Sequence, residues 1–501
     1  MQTASLLGID IGSSSIKVSL LNAETGRPVA SAVFPETEMA IIARKAGWAE
    51  QNPETWWAHM KHAVRYIGSK APELLANLKG IGISYQMHGL VTLDREGNLV
   101  RDAIIWCDSR AVPYGEEAFR KLGSETCLSR VLNSPGNFTA AKLAWVKDKE
   151  PESYKKIAKI MLPGDYIAYR LTGEINTTPS GLSEGILYDA GEDKPAGFIL
   201  DHFGFPASML PRLVPSFSIQ GRVHRKAAED LGVPEGVPVA YRAGDQPNNA
   251  FSLNVLNPGE AAATAGTSGV VYGITDKPLY DDASRVNTFV HVNHEPERKR
   301  FGVLLCLNGT GILNRWLKEM LGNDGKPYDY PYMNRLAETV PAGAEGLMVF
   351  PYGNGAERTL SNADPGAGIL RLNFNIHGQA HLFRAGQEGI VFALAYGLEI
   401  MEKMGMGIKR VKAGYANMFL SPLFRRVFAA VTGASIELYN TDGAQGAARG
   451  AGIGIGFYKD TAQAFEGLER KEAVEPDREL AEEYKKPYAD WKKELSRLVP
   501  A

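Results

Sequence analysis

Cysteine is scarce in this chain, with three among 501 residues: Cys107, Cys127 and Cys306. Their spacings fit neither metal ligation nor a redox pair, so a disulfide scaffold and a thiolate zinc site are excluded. Free thiols in a reduced, cytoplasmic setting are expected, each behaving as a small buried hydrophobe. A charge excess of one sign is missing too. Lys and Arg number 55 against 57 Asp and Glu, a net charge of −2, and the sequence pI is about 6.5. Without a broad basic surface, a nucleic-acid partner is not expected. No apolar run reaches the roughly 18 residues of a helical membrane crossing, so no membrane partner is expected. Met1 to Ser5 lead into a strand-like run with no basic segment ahead of it, a pattern without a signal peptide. Two phosphate signatures are also absent. G-x-x-x-x-G-K-[ST] occurs nowhere, and G-x-G-x-x-G is missing even from the glycine-rich stretch 450–456. Phosphate chemistry in this chain therefore does not run through a P-loop or a dinucleotide fingerprint.

What is present is an ordinary globular balance, with 44% hydrophobic and 22% charged residues. The length exceeds what one core accommodates, and two domains of roughly 250 residues are expected. The opening reads as a β-meander: Ser5 to Ile9, a turn at Gly12-Ser13-Ser14-Ser15, Ile16 to Leu21, and Val29 to Phe34 after Glu24-Thr25-Gly26. Asn52 caps a helix starting at Pro53, where a missing N–H costs nothing. Trp56, Trp57, Met60, Val64 and Ile67 recur along it at helical spacing and read as core packing. A buried strand comes next over Gly80 to Tyr85, and the alternation of strands with a helix favours α/β layers.

The pattern returns at mid-chain. Val237 to Tyr241 leads to Ala243-Gly244-Asp245, with Pro247-Asn248-Asn249 expected as a loop into a helix. Glu260 to Ala265 and Val270 to Ile274 then flank the turn Gly266-Thr267-Ser268-Gly269. Two related domains are expected, residues 1–253 and 254–459, followed by a charged helical segment, 460–501. Leu480, Tyr484, Tyr488, Trp491, Leu495 and Leu498 give that segment one apolar face, expected to dock on the body of the protein. Pro487 is expected to split it into two helices.

Phosphate is held by backbone N–H groups and hydroxyls that approach closely, which is why Gly, Ser and Thr recur in phosphate turns. The hairpins at Asp10 to Ser15 and Gly266 to Gly269 have that composition, and facing each other they can clamp a polyphosphate. Either alone is also compatible with a plain structural hairpin. Asp10 ends a buried strand, where an unpaired carboxylate is costly. A divalent cation removes that cost, and Mg²⁺ commonly takes one carboxylate plus waters and phosphates. Asp245 also stands after a strand end, where ligand sites of α/β sheets gather. There it can accept the proton of a hydroxyl attacking a γ-phosphate; the alternative is an Asx-turn or a helix cap. In Gln86-Met87-His88-Gly89, the histidine stands beside a glycine at a strand terminus, a donor and acceptor suited to a polyol.

These residues belong to a longer pattern. The chain resembles the FGGY family of carbohydrate kinases over nearly its whole length. The resemblance runs through Gly8-Ile9-Asp10-Ile11-Gly12, Gly47-Trp48-Ala49-Glu50-Gln51-Asn52-Pro53, Gln86-Met87-His88-Gly89 and Ile105-Trp106-Cys107-Asp108-Ser109-Arg110. It continues through Thr139-Ala140-Ala141-Lys142-Leu143-Ala144-Trp145, Leu162-Pro163-Gly164-Asp165-Tyr166, Gly244-Asp245-Gln246, Gly266-Thr267-Ser268-Gly269 and Gly446-Ala447-Ala448. It implies an actin-like ATPase (ribonuclease H-like) fold, two similar α/β domains around a central cleft. It also implies ATP with Mg²⁺, and a sugar as the phosphoryl acceptor.

By the same resemblance, Asp10 orients the metal and γ-phosphate, and Gly12, Ser13 and Ser14 hold phosphate. Met87 and His88 contact the sugar with Trp106 and Asp108 close by, Gln246 lines the pocket, and Asp245 is the catalytic base. Gly266, Thr267 and Ser268 form the second phosphate turn. Gly414, Ala416 and Asn417 stand at the adenosine segment, which reads Ala413-Gly414-Tyr415-Ala416 where the family has a glycine run. A differently shaped purine pocket is expected from those side chains. The Gln86 to Gly89 segment points within the family to xylulose as substrate; ribulose, gluconate and glycerol are the alternatives. A nucleotide-gated sugar-binding protein without turnover is the alternative of another class, and it has no need of a base at Asp245. The assembly implied is a homodimer.

Overall fold

A computed structural model describes residues 3–322 and 326–499. Two sheets organise it on one plan. The first contains β1 (Ser5–Ile11), β2 (Ile16–Asn22), β3 (Pro28–Phe34), β4 (Leu78–Tyr85), β5 (Phe217–Arg222) and β6 (Pro238–Gly244), in the spatial order β5-β6-β4-β1-β2-β3. The second contains β7 (Glu260–Ala265), β8 (Gly269–Thr275), β9 (Asn287–Val290), β10 (Phe301–Leu307), β11 (Arg410–Gly414), β12 (Ser435–Tyr439) and β13 (Arg470–Val474), in the order β9-β10-β8-β7-β11-β12-β13. In each sheet a central strand, β1 or β7, pairs antiparallel with the next strand and parallel with a later one, β4 or β11. A second parallel strand and an antiparallel edge strand then complete that side. The duplication read in the sequence is thus a duplication of topology, and the fold is the two-domain, actin-like α/β arrangement. The central strands read as continuous apolar runs because helices cover both faces of the sheets.

Seven helices matter for the site: α1 (Pro53–Lys70), α2 (Thr139–Lys149), α3 (Pro179–Glu184), α4 (Asp245–Ser252), α5 (Gln379–Lys403), α6 (Gly443–Gly454) and α7 (Arg478–Leu498). Asn52 caps α1 by accepting from the Glu54 N–H. Trp56, Met60, Val64 and Ile67 enter the core that contains Leu7, Ile9 and Ile81. α5 is buried along most of its length and fills the corresponding place beneath the second sheet.

The helices that come after β6 and β12 each cross to the other sheet. From α4, Ala250 packs on Ala262 and Tyr272 of β7 and β8. From α6, Ala447, Ala448 and Ala451 pack on Leu6 of β1 and Tyr241 of β6. Contact there is backbone on backbone. A Cβ on Gly8 would fall 1.7 Å from the Ala444 oxygen, and one on Gly82 would fall 1.9 Å from the Ala447 oxygen. Glycine is required at both. Asn248 of α4 ties the crossing by donating to the Gly443 carbonyl at 2.8 Å.

Three expectations are corrected. Pro247, Asn248 and Asn249 form no loop, because α4 starts at Asp245 itself, and a proline in the first turn leaves no helical N–H unsatisfied. The last helix is continuous through Pro487. Tyr484 and Trp491, on either side of the proline, are buried in the second core, and Trp491 stacks on Phe350 at 4.9 Å and donates to the Val349 carbonyl at 3.0 Å. Burial of that size outweighs the roughly 3 kcal/mol that an interior proline costs. Of the three free thiols, Cys127 is buried and Cys306 partly so, but Cys107 is exposed. Among the described residues, no helix is long and apolar enough to cross a membrane.

Candidate active site

Strands β6, β4 and β1 are adjacent and parallel, so one edge of the first sheet gathers the segments beyond their carboxyl ends. Asp10 pairs with Ser84, and Ser84 with Ala243, in one row across the three strands. Beyond that row lie Gln86, Met87 and His88 from β4 and Asp245 at the head of α4. The sheet topology therefore brings Asp10, Met87, His88 and Asp245 together.

The carboxyl groups perturb one another. Burial raises the Asp10 pKa, opposed by Lys17 and by the Ser84 hydroxyl, and the Asp442 charge raises it further. Asp245 is pushed up to about 7, first by burial and then by the Asp10 charge, against hydrogen bonds from the Gln246 backbone and side chain. Its side chain remains partly open to solvent. The start of α6 completes this wall from the second half: a Cβ on Gly443 would fall 2.8 Å from Asp10 Oδ2.

His88 adopts a left-handed backbone, φ 62°, and is clamped from three sides. Its ring lies edge-on to Phe138 at 4.7 Å and against Phe289 of β9 at 5.4 Å. Nδ1 sits 2.9 Å from the Glu184 carbonyl. A carbonyl only accepts, so Nδ1 carries the proton and Nε2 is left as an acceptor. Burial, and then the Lys142 charge, hold the ring pKa down to about 3, so the ring is neutral. Lys142, buried in α2, donates to the His88 carbonyl at 2.8 Å.

Trp106 is half-exposed, and its Nε1–H reaches Ser13 Oγ at 3.2 Å, which ties the sugar side to the first phosphate turn. Asp108 stands apart. It is fully buried, and its carboxylate accepts from the Ala49 N–H at 2.6 Å and from Arg110, whose Nη2 lies at 2.7 Å. Arg110 in turn bonds Glu50 at 2.7 Å and lies over Trp48 at 3.8 Å. With both oxygens spent inside the protein, Asp108 braces the wall beneath Trp106 and has no free lone-pair direction for a sugar. Gln246 keeps a side-chain oxygen without a partner.

In the second half, Gly266, Thr267 and Asn417 line one cavity of about 670 Å³, together with Asn314, Asn334 and Ser421. Asn417 has φ 54° and its amide stands near Gly266, where an added Cβ would lie 3.5 Å from Asn417 Nδ2. Gly414 ends β11, Ser268 and Ala416 belong to the adjoining loops, and none of the three lines it. The side chains of the adenosine segment leave this cavity open: Tyr415 is 48% exposed and is not part of the wall.

Glu184, Asp442 and Arg358, whose charge acts on His88, were not singled out from sequence. For Asp442 a signal existed. Asp442-Gly443 opens the helix after β12 as Gly244-Asp245 opens the helix after β6, so the duplication marks the position.

Known proteins of the same kind are found over the full length. The xylulose kinase of Bacillus subtilis strain 168 is 29% identical over 476 residues, 94% of this chain and 92% of the relative. The xylulose kinase of Escherichia coli strain K12 is 29% identical over 501 residues, 99% of both. The crystal structure of xylulose kinase from Rhodospirillum rubrum superposes with a TM-score of 0.89 at 25% identity, covering 99% of each chain. Residues 5–252 match the N-terminal domain of the FGGY family of carbohydrate kinases and residues 261–455 match its C-terminal domain. With two catalytic carboxyl candidates at one sheet edge and both halves matched in order, the chain belongs to that family.

Proposed function

We propose that this chain transfers the γ-phosphoryl group of ATP to the 5-hydroxyl of D-xylulose, forming D-xylulose 5-phosphate and ADP. The observation that carries the reading is the Asp245 carboxyl: partly open, next to Met87 and His88 in the sheet, and tuned to about 7. A base with a pKa near the working pH accepts a proton efficiently while remaining substantially ionised. As the sugar oxygen attacks phosphorus, its proton passes to Asp245 and the bond from phosphorus to the bridging oxygen of ADP breaks. The neutral His88 ring offers Nε2 to a sugar hydroxyl, and the unpartnered Gln246 oxygen accepts from another. Backbone N–H groups of Ser13, Ser14 and Gly266 to Ser268 hold the phosphates, with the nucleoside in the cavity beside Asn417, while the Gly12 N–H stays on the Ser15 carbonyl at 3.1 Å.

The residues fit Mg²⁺. Asp10 is a desolvated carboxyl facing Asp442 and Asp245. Among the described residues no group of three or more His, Cys, Asp or Glu is placed to cage a metal. One carboxylate plus phosphate oxygens and waters is the set Mg²⁺ commonly takes. When bound, the ion supplies positive charge to the transferring phosphoryl group; Asp10 would hold it.

A coupled ATPase screen over xylulose, ribulose, gluconate and glycerol tests the substrate. Fastest turnover on xylulose is expected, and fastest turnover on anything other than a 2-ketopentose ends the xylulose reading.

A further inference from the structure

One carboxyl group beside the sugar residues has no part in the reaction above. Glu184 ends α3 and is fully buried, and neither of its carboxyl oxygens has a hydrogen-bond partner. A Cβ added to Gly244 would fall 2.3 Å from Glu184 Oε2 and 2.6 Å from Met87 Cγ. The carboxyl therefore lies between Met87 and the Gly244-Asp245 step. The Glu184 backbone carbonyl meanwhile holds His88 Nδ1. One residue thus supports the sugar site from both sides, by its main chain at His88 and by its side chain beside Asp245.

Neither a helix cap nor an ion pair accounts for that carboxyl. α3 is capped by Thr178, whose side chain accepts from the Gly181 N–H. The charges around it are engaged elsewhere: Arg242 pairs with Asp165 at 2.8 Å, and the Lys142 ammonium goes to the His88 carbonyl. The Tyr85 hydroxyl and the His88 backbone N–H face the carboxyl closely enough to pull its pKa down, yet neither completes a hydrogen bond to it. Buried polar groups are almost always paired, and an unpaired one beside a ligand site marks a partner that arrives with the ligand.

Resting on the sugar-kinase reading, we propose that Glu184 is a specificity-determining residue whose carboxyl group hydrogen-bonds a hydroxyl of the bound sugar from beneath Met87. Burial, then the Asp245 and Asp165 charges, push its pKa well above the ordinary range, which favours the protonated form, a group with one O–H donor and one acceptor. An alcohol group, which both donates and accepts, matches that pair. Met87 covers the carboxyl, and an unbranched thioether shifts aside at low cost.

The test compares wild type with Glu184→Gln, Glu184→Leu and Glu184→Asp. Sugar binding is measured by calorimetry without nucleotide, and kcat, sugar KM and ATP KM by steady-state assay, over xylulose and its single-deoxy analogues. Glutamine keeps an uncharged donor and acceptor, so its sugar KM stays within about threefold of wild type. Leucine removes the hydrogen bond and raises sugar KM about tenfold, with ATP KM unchanged. That penalty vanishes for the one deoxyketose lacking the contacted hydroxyl. Aspartate, which keeps the acid but withdraws it by one methylene, also raises sugar KM, and it decides the matter should the leucine variant fail to fold. The proposal is overturned if aspartate and leucine bind sugar like wild type, if glutamine loses as much as leucine, or if every deoxyketose shows the same penalty. Should the wild-type chain prefer another sugar, the xylulose reading falls and the same variants are compared on that sugar, so the two claims fail separately.

Discussion

Asp245 is held away from the ordinary carboxylate range by burial and by the Asp10 charge, and both effects can be measured. Replacing it by alanine removes the proton acceptor while leaving Met87, His88 and Gln246 in place. Asp245→Ala is expected to bind sugar calorimetrically like wild type and to lose on the order of 10²–10⁴ in turnover; near-normal turnover would place the base elsewhere. In the wild type the base works only when ionised, so kcat/KM should rise with pH through about 7, and this limb should vanish from the residual activity of Asp245→Ala. Stability runs the other way. The folded-state pKa lies above the unfolded one, so the fold holds this proton more tightly than the unfolded chain does. The group therefore costs nothing at low pH and becomes destabilising as pH climbs from the unfolded value to about 7. Asp245→Asn should then raise stability above pH 7 by about 1–3 kcal/mol, with no gain below about pH 4. A melting temperature that is unchanged at pH 8 would contradict the perturbed carboxyl. That Asp10, Met87, His88 and Asp245 gather at one sheet edge was legible in the sequence, because apolar runs locate the strand ends beside which these residues stand. Asp108 was not, since its role is decided by Ala49 and Arg110 in the fold. Glu184 carries no local signature at all: its meaning comes from Gly244 and Met87, each far away in the chain.

Elements of the two halves are joined by the crossing of α4 and α6, and glycine makes the crossing tight. Gly82 on β4 is the sharper test, because its added Cβ would meet the backbone oxygen of Ala447 at 1.9 Å and no side chain can swing away to relieve it. Gly82→Ala is expected to lower stability by about 1–3 kcal/mol, the usual range for overpacking, read as a lower urea midpoint. It should also reduce kcat, because α6 begins beside Asp10. Gly407→Ala is the matched control: its Cβ would meet nothing within 4 Å and it lies exposed between α5 and β11, so midpoint and kcat should stay as in wild type. Equal effects of the two substitutions would show that the crossing is not the constraint. Seven of the thirteen strands in the two sheets were readable, since turns of Gly, Ser and Thr bound their apolar runs, and the observed strands depart from those readings by at most three residues at either end. The crossing itself was not readable. In the sequence, residues 450–456 are only a glycine-rich stretch without the dinucleotide pattern; in the structure, Cβ atoms on Gly450, Gly452 and Gly454 would fall 2.4 Å from Tyr241, 2.3 Å from Tyr458 and 1.9 Å from the Ala240 oxygen. Pro487 misled for a related reason, because a local rule was outweighed by the burial of Trp491 from another part of the chain.

Over the whole molecule, the residues proposed to bind sugar and the cavity proposed for nucleotide belong to different sheets. Met87, His88, Asp245 and the turn Gly12 to Ser14 extend from the first; Gly266, Thr267 and Asn417 belong to the second. Phosphoryl transfer needs a γ-phosphate held against both turns at once. The halves already touch where Phe289 packs on His88 and where Asn133 donates to the Thr288 carbonyl at 2.6 Å. They are also joined through the crossing of α4 and α6. In the proposed site, sugar contacts His88, on which Phe289 of the second sheet packs, so its binding should favour a more closed arrangement, and closure excludes the water that would otherwise consume ATP. We predict that saturating sugar reduces the radius of gyration in small-angle scattering and that ATP hydrolysis without sugar is slow. Asp245→Ala separates closure from chemistry. If sugar contacts drive the movement, that variant should contract on adding sugar as wild type does, although it turns over far less. Contraction that disappears with the base would mean that chemistry drives it, and scattering curves identical with and without sugar in both proteins would mean that the two turns meet without any movement of the halves.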